Sequence, residues 1–247
     1  MATIWGKWTG YGSTYNDDYV DDLVGTNLMD VIYGLGGYDT LDGGGGPDKI
    51  YGGGGRDTIY GGTGADLCVG GDGRDIIYGG DQGDQLYGGD DQDFLYGEGG
   101  NDALYGDAGH DELTGGVGID ILTGGTGFDT FKFELQNAAN GWTDSKITDP
   151  DHITDFSGAD DWIDVEVPGT SANYIEKQIS GNSLVFGYDA AKDWALDHMT
   201  GNVRYAFVSD GFNGFLFADL NGNGIVETGI VLEGVTSTSD FQFSNIF

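Results

Sequence analysis

Cysteine, proline, histidine and basic residues are all scarce in this chain of 247 residues. The single cysteine, Cys68, excludes an internal disulfide framework. Three prolines leave few fixed kinks, and the three histidines His110, His152 and His198 are too scattered for one helix to gather around a metal. Nine Lys and Arg stand against 42 Asp and Glu, a net charge of −33, so nucleic acid and anionic membrane surfaces are poor partners. No apolar run approaches the ~20 residues of a membrane span. The opening MATIWGKWTG has no apolar leader core, so any export is expected to read another signal. H-E-x-x-H and G-x-S-x-G are both missing, which removes the zinc-protease and serine-hydrolase readings. With so many acids, some carboxylate pair falls at glycosidase spacing by accident, and such a pair carries no weight. No enzyme is expected.

Glycine, by contrast, is abundant, 49 residues, and it is periodic. Residues 25–132 divide into twelve nonads without a break: GTNLMDVIY, GLGGYDTLD, GGGGPDKIY, GGGGRDTIY, GGTGADLCV, GGDGRDIIY, GGDQGDQLY, GGDDQDFLY, GEGGNDALY, GDAGHDELT, GGVGIDILT and GGTGFDTFK. Position six is always aspartate: Asp30, Asp39, Asp48, Asp57, Asp66, Asp75, Asp84, Asp93, Asp102, Asp111, Asp120 and Asp129. Position eight is always apolar, and glycine fills most of positions one, two and four. Glycine tolerates positive φ, so the first six residues can close a tight loop. The last three form a short strand whose middle side chain faces inward, with Cys68 a small filler in that row. Two nonads make one coil of eighteen residues, which brings Asp48 beside Asp66 on one edge.

That arrangement suits a hard cation. Calcium takes six to eight oxygens at about 2.3–2.6 Å, and two carboxylates with loop carbonyls from neighbouring coils would supply them. The carbonyls expected to contribute include those of Gly43, Gly45, Gly52, Gly54, Gly61, Gly70, Gly115 and Gly124. Pairing each nonad with the second after it gives ten inter-loop sites, of which about six to ten are expected to fill with Ca²⁺. The loops at Gln82 and Asp91, and the first loop GTNLMD, are expected to be weakest; Asp81, Asp90 and Asp91 add oxygens there. The pattern G-G-x-G-x-D-x-U-x resembles the RTX, or hemolysin-type, calcium-binding repeat, which implies a parallel β-roll.

Tyrosine recurs at position nine. Alternate nonads belong to opposite sheets, so Tyr33, Tyr51, Tyr87 and Tyr105 are expected on one face, with Val69 in the same row, and Tyr60, Tyr78 and Tyr96 on the other. Two readings stand: strand-ladder packing, or a platform on which Tyr51, Tyr87 and Tyr105 meet a polysaccharide or other surface. His110 occupies an outward loop position and is expected to be solvated.

Residues 1–24 read as an N-terminal cap. Its NDDYVDDLV places Asp21 and Leu23 in phase as positions six and eight of a degenerate repeat. Trp5 and Trp8 either cover the first coil or stack on a sugar. Residues 133–247 lose the period and read as a β-rich cap, with strands in IEKQI, SLVFGYD, VRYAFVS, FNGFLFADL and GIVLEGV and a helix near Asp189–Met199. The turn Asp219, Asn221, Asn223 copies the opening of an EF-hand loop, but Ile230 stands where a bidentate Glu belongs. A calcium site with Glu227 as partial replacement and a plain β-turn both remain open.

GGTGFDTFKFE, DHITDFSGADDWIDV and LFADLNGNGIVETGIVLEGV are together similar to the C-terminal domain of the serralysin family. The resemblance spans about residues 16–247, with SDFQFSNIF a loose match to the family's apolar tail. It implies an all-β fold: a parallel β-roll closed by a C-terminal antiparallel cap, without the protease domain. It also implies calcium binding outside a bacterial cell and export by a type I secretion apparatus that reads the extreme C-terminus. The expected role is a secreted, non-enzymatic binder of matrix, surface or polysaccharide. The alternative is a calcium-dependent folding, secretion or targeting module for an enzyme such as a serralysin-type protease or an alginate epimerase.

Overall fold

Two parallel sheets, built from alternate nonads, enclose a single file of apolar side chains. The computed structural model describes residues 2–5, 20–133, 150–165, 174–178, 188–199, 205–209, 212–219, 226, 228–236, 241 and 245–246. Trp8, Asn221 and Asn223 lie outside that set. The first sheet runs Ala2–Trp5, Asp30–Gly37, Lys49–Gly55, Leu67–Asp72, Gln85–Asp90, Ala103–Gly109 and Ile121–Thr123. The second runs Asp22–Val24, Thr40–Asp42, Thr58–Thr63, Ile76–Asp81, Phe94–Gly99, Glu112–Val117 and Thr130–Lys132. From Asp22 to Lys132, neighbours in each sheet pair eighteen residues apart, as Ile50 with Cys68 and Cys68 with Leu86.

This register follows from the pattern. A period-two strand with one apolar residue flanked by outward ones buries only that residue. All twelve position-eight side chains, Ile32 through Phe131, are fully buried. Cys68 sits among them, and burial pushes its thiol well above the ordinary range. His110 is exposed, as expected, but its Nδ1 accepts the Phe128 N–H at 2.9 Å.

Solenoid pairing extends past both ends of the glycine-rich array. Leu23 pairs with Leu41, and Asp22–Val24 forms a strand of the second sheet. Ala2–Trp5 adds a further strand, with Ile4 in register with Ile32 and Trp5 with Tyr33. Beyond Lys132, Asp151–Ile153 pairs with the Ile121–Thr123 strand and Trp162–Asp164 with Thr130–Lys132. Both additions are parallel, so the motif DHITDFSGADDWID supplies another coil.

The cap grows from that coil. Thr228–Glu233 pairs in parallel with Asp151–Ile153, then Asn213–Ala218 and Tyr205–Ser209 follow antiparallel, and Tyr174–Gln178 joins in parallel. In SLVFGYD, Tyr188 and Asp189 begin a helix, Tyr188–His198, and its earlier residues lie outside the described set. The cap strands are buried on both faces because each face meets a different core. Tyr205, Phe207, Leu216 and Leu232 continue the file of the roll. Ala206, Val208, Phe215 and Phe217 pack with Ala191, Ala195 and Met199 of the helix segment. Phe241 closes the first core, stacking on Phe207 at 4.6 Å, and Ile246 bridges to Ile163.

The buried thiol reports on the file directly. We expect Cys68 to resist a thiol reagent in the calcium-loaded chain and to react at the rate of an unfolded cysteine after chelation. Fast labelling in both conditions would show that the inward row does not form.

Candidate metal centre

Each position-six aspartate is almost wholly withdrawn from solvent, with exposures of 0–3% from Asp30 to Asp129. Its two oxygens have different fates. Oδ1 accepts the main-chain N–H of the aspartate one coil earlier: Asp57 N–H donates to Asp75 at 2.7 Å, and Asp75 N–H to Asp93 at 2.7 Å. Thirteen such bonds run without a gap from Asp21–Asp39 to Asp129–Asp161. Oδ2 is left buried with no hydrogen-bond partner at Asp48, Asp57, Asp66, Asp75, Asp84, Asp93, Asp102, Asp111 and Asp120. A buried carboxylate oxygen without a partner is costly, so each of these nine favours a proton or a cation beside it.

The carbonyl oxygens around it fit that requirement. A Cβ built on Gly34 would meet Asp39 Oδ2 and the Gly52 carbonyl, both at 2.6 Å; one on Gly43 would meet the Gly61 carbonyl at 2.5 Å and Asp48 Oδ2 at 2.7 Å. The same pairing recurs with the carbonyls of Gly70, Gly115 and Gly124 facing the preceding coil. Position-one glycines therefore leave room between a carboxylate and a carbonyl. At position three, Gly45 bridges to Thr63, and Gly54 lies in sheet register with Gly36 and Asp72. Among the described residues no three His, Cys, Asp or Glu side chains converge. A centre here would combine one or two carboxylates with main-chain oxygen, the donor set calcium prefers. In such a centre the aspartates and position-one carbonyls would hold the ion, whose charge would replace the missing hydrogen-bond donors.

Space explains why position one is glycine in all twelve nonads. Positions two and four mostly take positive φ, and a Cβ on the position-two glycines Gly62 and Gly80 would also run into a carbonyl of the preceding coil. Leu35, Glu98 and Asp107 at position two, and Gln82 and Asp91 at position four, take φ of 70–82°. These residues store strain of about 1–3 kcal/mol each without diverting the loop. Asp84 and Asp93 beside them keep unpartnered Oδ2 atoms like their neighbours.

One carboxylate is sealed at each end of the ladder. Asp30 Oδ2 accepts the N–H and hydroxyl of Thr26, at 2.7 and 2.8 Å, so the first loop has spent its free oxygen. Asp161 Oδ2 accepts the Ser157 N–H at 2.8 Å. Asp155 follows Thr154 where the array would place glycine, and its carboxylate takes the N–H groups of Gly124 and Gly125 at 3.0 and 2.7 Å.

Burial raises the carboxyls of the array: Asp48 and Asp57 to about 6, Asp75, Asp84 and Asp111 to about 7, Asp93 and Asp102 to about 8. The ladder N–H opposes this, and neighbouring carboxylates add to it: Asp57 raises Asp75 less than burial does. Withdrawal from water, more than mutual repulsion, makes the metal-free array unfavourable.

The tyrosines fall into the two expected rows. Tyr33 and Tyr51 stack at 5.1 Å and Tyr87 and Tyr105 at 4.7 Å, either side of Val69. Tyr60, Tyr78 and Tyr96 form an unbroken stack at 5.2 and 5.0 Å. Rings overlapping at this spacing cover one another's faces and leave edges and hydroxyls to solvent. Tyr51, Tyr87 and Tyr105 are accordingly half-buried. Asp219 is buried beside the cap strand that precedes it.

A family model described as RTX calcium-binding nonapeptide repeat (4 copies) matches residues 11–50, 24–59, 42–77, 78–113 and 114–132. Among solved structures, the chain is similar to the AlgE6R3 subunit of the Azotobacter vinelandii mannuronan C5-epimerase. That match has 28% identity over 68% of this chain and 78% of the other, with a TM-score of 0.43. The AlgE6R2 subunit matches at 26% identity over 67% and 88%, with a TM-score of 0.40. Curated protein sequences give no match.

Two outcomes follow from the ladder. Asp75→Asn keeps an Oδ1 acceptor but loses the charge, and should weaken apparent calcium affinity about tenfold; Asp30→Asn should change it far less. Equal effects in calcium titrations would remove the distinction between free and sealed oxygens. The raised carboxyls bind protons more tightly in the folded metal-free array than in the unfolded chain, where they titrate near 4. Protonation therefore favours the metal-free fold fully below about pH 4, and that support is lost as pH rises through about 6–8. Calcium binding at pH 7 should release protons, and the calcium midpoint should rise from pH 8 to pH 6. A midpoint constant across that interval would contradict the assignment.

Proposed function

Because this chain carries an array of RTX calcium-binding nonapeptide repeats, we propose that calcium decides whether the roll folds, and that the protein works outside a bacterial cell. The observation that carries this is the run of buried, unpartnered Oδ2 atoms from Asp48 to Asp120. Each nonad buries one apolar side chain while ordering nine residues, many of them glycine, so hydrophobic burial alone does not hold the array. Metal binding supplies the difference, and binding energy becomes folding energy. The ligands are the position-six aspartates with carbonyls of the loop glycines, about six to ten ions in all, between residues 30 and 129.

Extracellular calcium modules bind at roughly 10⁻⁴–10⁻³ M. At cytoplasmic calcium the array stays unfolded and can thread a type I secretion apparatus; outside, millimolar calcium folds it. The burial of Phe241 and Ile246 in the folded cap agrees with this order of events. A signal near the C-terminus is accessible before the cap closes. Residues 1–24 and 133–247 act as caps on the array of residues 25–132. The mature protein is a non-enzymatic binder whose outward face meets matrix, surface or polysaccharide.

Circular dichroism of the whole chain during a calcium titration tests the central step. Strand signal should be weak in excess chelator at neutral pH and should appear cooperatively near millimolar calcium. A signal already complete in chelator would refute calcium-driven folding.

A further inference from the structure

The second sheet carries a groove of about 270 Å³ where its strands turn into the loops. Gly62 and Gly80, at position two, form its floor; Tyr60 and Tyr78 lie on one side and Thr63 and Asp81 on the other. Glu98, in register with Gly80 one coil later, closes the end. Tyr60 begins the stack of three rings and is 41% exposed, so its outer face is not covered by another tyrosine. No basic residue lines the groove. Glu98 holds φ 70° at a position where Gly62, Gly80 and Gly116 serve the same loop path at φ of 98–113°. The fold therefore accepts strain to place a carboxylate here, although glycine would complete the loop.

We propose that this groove binds an amino sugar of a polysaccharide, the ammonium group held by Asp81 and Glu98 and the ring lying against Tyr60. Aromatic rings beside carboxylates attract organic cations, through the ring quadrupole and through charge. The volume is below the roughly 300–1,000 Å³ of ordinary small-molecule pockets, so it takes one sugar unit while the rest of the chain lies outside. Thr63 offers a hydroxyl for sugar hydroxyls. Burial, and then the neighbouring Tyr60 and Glu98, raise the Tyr78 phenol. A uronate chain would meet these carboxylates as a like charge. The inference rests on the polysaccharide-binding reading and names its sugar class.

Titration calorimetry on the whole chain in millimolar calcium would compare a glucosamine hexamer with N-acetylglucosamine, glucose and uronate hexamers. The glucosamine hexamer should bind best. Glu98→Gly restores the residue of the neighbouring coils, so it should fold at equal or lower calcium yet lose about tenfold in affinity. Asp107→Gly is its control, since Asp107 has the same φ of 70° but belongs to a first-sheet strand. Diffuse attraction to a chain of charge −33 would treat the two variants alike, and that result would overturn the site. Tighter binding of a glucose, uronate or acetylated hexamer would overturn the amino-sugar inference while leaving polysaccharide binding in place. Binding of none of the four would overturn both.

Discussion

Everything in the roll depends on one hydrogen bond and its leftover. The Oδ1 atom of each aspartate caps the main-chain N–H of the aspartate one coil earlier, as Asp66 does for Asp48 at 2.7 Å. That bond fixes the carboxylate in place and turns Oδ2 into a pocket from which water is excluded. A carboxylate held this way cannot relax toward solvent when the metal is absent. It must take a proton, bind a cation or let the coil open. The ladder is therefore both scaffold and switch: the geometry that registers the coils makes the metal-free state unfavourable.

Position-one and position-two glycines then carry different loads. At position one a side chain would enter the oxygen pocket, and the array has none there. At position two a side chain must take a positive φ outside the oxygen pocket, and Leu35, Glu98 and Asp107 show that the roll accommodates it. The sequence treats the two positions differently for this reason, and substitutions outside the pocket can decorate the surface without altering the path.

The period of nine made the sheets, the inward file and the aspartate edges legible before any coordinates, because every register decision repeats twelve times. What escaped was aperiodic. Asp151 and Asp161 continue the ladder at spacings of 31 and 32 residues, so no eighteen-residue comparison finds them. The motif containing them was recognisable by resemblance, but its place as a further coil depends on chain pairing. Thr26 and Ser157 were equally hidden, since a hydroxyl or N–H that seals a carboxylate has no signature beyond ordinary loop composition. The tyrosine rows were legible; the covering of ring faces was not, because it depends on side-chain rotamers stacking at coil spacing.

A roll made only of metal-bound coils would have no place to begin. Its central coils each contribute two buried apolar side chains, one per nonad, and none has a face that water does not reach without its neighbours. The C-terminal cap differs in kind. Its strands pack Phe207 and Leu216 toward the roll, and Val208 and Phe215 toward the helix segment, so it has two cores that need no ion. Asp151–Ile153 joins that sheet directly to the first sheet of the roll. Asp155 meanwhile holds Gly124 and Gly125 of the last nonad without a metal. The cap thus presents a finished edge, with main-chain donors and acceptors already in register, on which the last nonads can order. Each ion bound there creates the next edge. Folding from the C-terminal end toward Thr26 is the direction in which every step adds to a surface already built.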